Sequence, residues 1–167
     1  LVRNVTTSYE LMERLAVGAS WRVERWYPGD KELIPFLGHP GRQVALGQSI
    51  EVGADHPGYA VAVRAAHEEF RRTDGDLGAV LAAHHGFHAA LMARCPNRPM
   101  LTAIDRYAQQ SVRFQMLATA GRAGRRDLDA EHADLLRAAV EGRAEDGSRV
   151  LTEHLRASLA ELRARPV

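Results

Sequence analysis

Leu77, Val80, Leu81, His84, Phe87, His88 and Leu91 recur at the three- and four-residue spacing that defines one face of an α-helix. A stripe of that kind has to be covered by other parts of the chain, so the segment from residue 77 to 94 is read as a helix buried along one side. Two members of the stripe are histidines, and a buried helix face is an unusual place for them. The rest of the chain repeats the same period. Thr7 and Glu10 have capping-box spacing, and Leu11, Leu15, Ala19 and Val23 follow at helical intervals, which predicts a helix over residues 7–26. Asp55-His56-Pro57 opens a helix that runs to about residue 72, and Pro99 opens another that runs to about residue 118. Two more are expected over 129–140 and 144–164, with Gly142 between them.

Short turns between long helices make consecutive helices antiparallel neighbours, so the fold class is all-α, an antiparallel bundle of about six or seven helices. The expected exception is an irregular insertion near residues 27–57. Tyr27-Pro28-Gly29-Asp30 ends the first helix and Gly38 to Gly41 forms a turn, while residues 31–37 suit a short helix and residues 42–52 suit strand or helix equally. Residues 121–126 read as a polar, arginine-rich loop.

Of the eight histidines, four fall on apolar faces. His84 and His88 are one turn apart on the same helix. His132 shares its side with Leu135, Leu136 and Ala139, and His154 lies between Leu151, Leu155 and Leu159. Burying an imidazole without a partner costs free energy, so these rings need hydrogen-bond partners or a shared cation. On spacing alone both readings stand. Three or four neutral imidazoles suit zinc, nickel, cobalt or copper. His85 points about 100° away from His84 and is expected at the surface. His39 and His56 each precede a proline in a turn and are expected to be exposed.

The totals exclude several classes. Lysine and arginine number 22 against 21 acidic residues, so no basic field is available to hold nucleic acid by its phosphates. The single cysteine, Cys95, rules out an internal disulfide and a Cys-rich zinc site, and suits a cytoplasmic protein. No apolar run reaches the roughly 20 residues of a membrane helix, so no membrane partner is expected. No internal repeat or low-complexity segment is visible.

Two groups of residues carry a family resemblance. Phe87-His88-Ala89-Ala90-Leu91, followed by Asn97 and Leu101, resembles the first signature of FCD domains, the effector-binding domains of GntR-family (FadR subfamily) bacterial transcriptional regulators. Glu131-His132, Leu135-Leu136, Ala138, Gly142 and Glu153-His154-Leu155 resemble the second, and together the match covers residues 76–163. The resemblance implies a single ligand-binding domain over residues 1–167, a divalent metal on His88, His132 and His154, and His84 where the family has an aspartate. An all-imidazole set favours zinc, then nickel, over harder ions. It further implies a small carboxylate effector, a homodimer, and contact with DNA only through a winged-helix domain preceding this chain. Arg113 is the candidate anchor for the carboxylate. The family's first-helix arginine, aligned on Tyr9-Glu10, falls on Met12, with Arg14 nearby on a different face as the second ligand-binding candidate. Two alternatives remain: a metal-dependent enzyme acting on a small organic acid, with Glu131 or Glu153 as base, and a helical protein whose metal is purely structural.

Overall fold

The computed structural model describes residues 41–119 and 128–163, with side chains described for residues 41–109 and 128–160. All of them fall within one unit, Ile34–Val167. The helix expected over 7–26, Arg14, residues 27–40 and the loop at 121–126 lie outside the described residues, as does the side chain of Arg113. Six helices follow in order: α1 Gly41–Gly53, α2 Pro57–Arg72, α3 Leu77–Met92, α4 Arg98–Thr119, α5 Leu128–Val140 and α6 Ala144–Arg163. No strand occurs among the described residues.

The helix starts follow the residues that precede them. His56 sits extended before α2 and its Nδ1 accepts a hydrogen bond from the Gly58 amide at 3.2 Å, with Pro57 filling the first helical position. Asp76 caps α3 by accepting from the Ala79 amide at 2.9 Å. Asn97 does the same for α4, accepting from the Met100 amide at 3.0 Å. Asp129 and Glu131 lie in the first turn of α5, where negative charge is favoured by the helix dipole. The end of α5 is a Schellman turn: the Arg143 amide reaches the Ala138 carbonyl at 2.9 Å and the Gly142 amide the Ala139 carbonyl at 3.4 Å. That geometry needs a left-handed residue, and Gly142 supplies it with φ of 71°.

Residues 41–53, expected within an irregular insertion, form a helix. Its amphipathic contrast is weak because it is enclosed from more than one side, packing against α6, α3 and α4. Leu46 and Ile50 are fully buried, yet so are Ala45 and Ser49, and the helix lies close to α6 through small residues. A Cβ added at Gly147 would stand 2.6 Å from Ile50 Cδ1, and one added at Gly47 would stand 2.9 Å from Ser148 Oγ. A strip of glycine and serine at a close helix contact hides the period that a one-sided helix displays.

The core gathers Leu46 and Ile50 of α1, Val63 of α2, Phe87 and Leu91 of α3, Leu135 of α5 and Leu151 of α6. Each such side chain contributes about 1.5–3 kcal/mol by leaving water. Two polar ties fix the helices in register: Tyr59 Oη donates to the Leu91 carbonyl at 2.8 Å, and Ser148 Oγ to the Gln43 carbonyl at 2.9 Å. No helix among the described residues is long and apolar enough to cross a membrane.

Candidate metal centre

Helix α3 carries His84 and His88 one turn apart, so both rings leave the same face. α5 and α6, joined only by the turn at Glu141 to Arg143, bring His132 and His154 opposite that face. The four histidines meet: each offers one ring nitrogen, and these nitrogens all lie within 4.8 Å of one another. Ring centroids are 4.6 Å apart for His84 and His88, 4.9 Å for His84 and His132, and 4.7 Å for His132 and His154. His88, His132 and His154 are buried and His84 is half-buried. Phe70 of α2 closes one side, its ring 5.0 Å from His132 and 5.3 Å from His84.

The outer nitrogens decide which inner atoms carry lone pairs. His132 Nδ1 donates to the Leu128 carbonyl at 2.6 Å, and His154 Nδ1 donates to the Glu131 carboxylate at 2.8 Å. A neutral ring that donates from Nδ1 presents a bare Nε2. Burial keeps the rings neutral: it pulls His132 down to about 4, and pulls His84 and His88 well below the usual histidine range. Inside the cluster, His84 Nε2 stands 3.0 Å from His132 Nε2 and 3.1 Å from His88 Nε2. One ring proton cannot lie in line with both contacts. A divalent ion can satisfy them together, because metal–nitrogen bonds of about 2.0–2.1 Å place neighbouring ligand nitrogens roughly 2.9–3.4 Å apart. The donor set, and the two contacts of His84 Nε2 within it, therefore fit a borderline transition metal with nitrogen ligands.

Two buried polar groups in this region went unread in the sequence. Arg42, in the first turn of α1, is 6 % exposed, and its Nε has no hydrogen-bond partner among the described residues. Burial lowers its pKa to about 10, and its charge acts on both His84 and His88. The weak period of α1 concealed it. His67 of α2 is buried with its ring edge on Phe87 at a centroid distance of 5.1 Å, and its Nε2 also lacks a partner. Its spacing from Val63 and Phe70 was the available signal.

The other expectations sort as follows. His56 is exposed, as expected, and serves as a cap. His85 is half-buried where a surface position was expected, because α3 has neighbours on several sides, α1, α2 and α4. Glu153 is turned to the surface beside Arg149, with Oε1 3.3 Å from the guanidinium, and does not join the cluster.

The described residues thus form a helical bundle around a buried cluster of four imidazoles. The FCD domain family model matches residues 57–157, and the chain belongs to that family, the regulatory domain of GntR-type transcriptional regulators. Such domains regulate and do not catalyse, which sets aside the enzyme reading and a basic role for Glu131 or Glu153. Among solved structures, the chain is similar to a transcriptional regulator of the GntR family from Pseudomonas syringae pv. tomato str. DC3000. The TM-score is 0.68 at 19 % identity, over 94 % of this chain and 71 % of that one, a likeness of fold. No curated protein matches the chain.

Proposed function

We propose that this chain is the effector-sensing domain of a GntR-type regulator, holding a divalent metal on His84, His88, His132 and His154 and binding a small carboxylate effector. The observation that carries this reading is the convergence of four imidazole nitrogens, drawn from α3, α5 and α6, within 4.8 Å. Zinc is the favoured ion and nickel the second choice, since the ligands are nitrogens and no carboxylate or thiolate takes part. When bound, the metal supplies a fixed positive centre able to accept oxygen donors from a ligand.

The protein's own contribution to effector binding is Arg42. A buried guanidinium without a carboxylate partner is costly, and an anion that meets it removes that cost through charge-assisted hydrogen bonds. Arg42 is thus proposed as a carboxylate anchor in addition to Arg113 and Arg14. In the whole regulator, a winged-helix domain preceding this one reads DNA, and two copies of the chain form a homodimer. The effector shifts the packing of the bundle, and that shift sets the spacing of the two DNA-reading domains.

Metal content of the purified protein, followed by thermal melting of the zinc-loaded form against a panel of small carboxylates, tests the reading. A midpoint that rises with zinc and rises again with one carboxylate supports a sensor. Zinc stabilisation with no response to any carboxylate would leave the metal purely structural, and absence of zinc stabilisation would defeat the metal assignment.

A further inference from the structure

His154 is oriented from outside the cluster by a residue on another helix. Glu131 lies in the first turn of α5, next in sequence to His132, and adjacent residues on a helix point about 100° apart. It therefore does not aim where His132 aims. Instead it spans to α6, where Glu131 Oε2 accepts from His154 Nδ1 at 2.8 Å. His154 is 4 % exposed and the Glu131 side chain 28 % exposed, and both line a surface groove of about 270 Å³ together with Asp134, Arg149 and Glu153.

From this geometry we infer that Glu131 is a positioning residue for His154: its carboxylate holds the ring in the Nδ1–H tautomer, turns the bare Nε2 towards His84, His88 and His132, and increases the electron density there. The inference rests on the metal reading above for its consequence, but the tautomer itself does not depend on a metal. The other outer nitrogen the structure fixes, His132 Nδ1, is held by a neutral backbone carbonyl at 2.6 Å. The two rings are thus held by different means: a backbone carbonyl for His132, and for His154 a carboxylate, which brings a full negative charge to a set of four neutral imidazoles. A carboxylate accepting from the far nitrogen of a ligating imidazole raises that ligand's basicity and typically changes metal affinity about 10–100-fold.

The test compares the wild-type chain with Glu131→Gln, which keeps an accepting oxygen but loses the charge, and Glu131→Leu, which loses both. Two quantities are measured: the tautomer of His154 in metal-free protein by nitrogen-15 chemical shifts, and zinc affinity by competition with a chromophoric chelator. Wild type is expected to hold His154 with Nδ1 protonated, and Glu131→Leu to shift it towards the Nε2–H form. Zinc affinity should fall about 10–100-fold in Glu131→Leu and by a smaller factor in Glu131→Gln. If Glu131→Leu does not fold, Glu131→Gln decides alone, with a several-fold loss expected. An unchanged tautomer and unchanged affinity in a folded variant overturn the inference. Should wild type bind no zinc, the metal reading fails, and the tautomer shift still decides whether Glu131 orients His154.

Discussion

His84 Nε2 and His132 Nε2 stand 3.0 Å apart although 48 positions separate the residues in the chain. Two neutral rings reach that distance inside a core only if something shared lies between them, a proton or an ion. Zinc at about 100 times its dissociation constant should stabilise the folded state by about 2.7 kcal/mol, which for a chain of this size is a rise of about 5–10 °C in Tm. His132→Ala should abolish most of that rise. Differential scanning calorimetry with and without zinc checks both, and an equal rise in the variant would count against His132 as a ligand.

Acid should weaken the metal-free protein through the same rings. Burial holds His132 at about 4, below its ordinary 6.5. The unfolded chain therefore takes up the proton first. Above about pH 6.5 neither state is protonated there and the group is neutral to stability; as pH falls from about 6.5 to about 4 the penalty accumulates, and below that it stays constant. For His132 alone the loss is on the order of 3 kcal/mol, and His84 and His88 shift in the same direction. Urea unfolding of metal-free protein between about pH 7 and pH 5 reads the slope. A flat profile would mean the rings are not buried neutral.

On the proposed reading, position 84 should set which ion is preferred: His84 would contribute a neutral nitrogen where an aspartate would contribute a charged oxygen. His84→Asp should raise affinity for manganese relative to zinc by about tenfold or more, since hard ions favour carboxylate ligands. Competition titrations with the two ions measure the ratio. A ratio equal to wild type would place residue 84 outside the ligand set.

On the proposed reading, a substitution at Arg42 should separate effector binding from metal binding. Arg42→Met removes the guanidinium but keeps an unbranched apolar stem, so zinc stabilisation should persist while the extra shift from a carboxylate disappears. In the absence of any anion the variant should be as stable as wild type or more so, because an uncompensated buried charge has gone. Calorimetry of both proteins with zinc, with and without the responding carboxylate, provides the comparison. Loss of the zinc response itself would show that Arg42 acts on the cluster and not on the effector.

Much of the bundle was legible because its helices are one-sided. In α2, α5 and α6, apolar residues keep a single face, and their capping and breaking residues, Pro57 and Gly142 among them, stand where the structure uses them. The histidine cluster was legible for a related reason: His84, His88, His132 and His154 each interrupt an apolar face, and a polar ring there announces its own burial. α1 was not legible, since Gly47 and Ser49 at close contacts flatten its period, and Arg42 was hidden with it. The bond from Glu131 to His154 was equally out of reach, because it depends on which way one half-buried side chain leans across a helix boundary.

The turn at Gly142 acts as a gauge for the whole centre. His132 lies 10 residues before it and His154 12 residues after it. Each residue added to or removed from the last turn of α5 or the first turn of α6 would slide one ring past the other by about 1.5 Å and swing it by about 100°. A chain of this design can vary freely in the outer faces of α5 and α6, but the length of this corner is constrained as tightly as the imidazoles themselves.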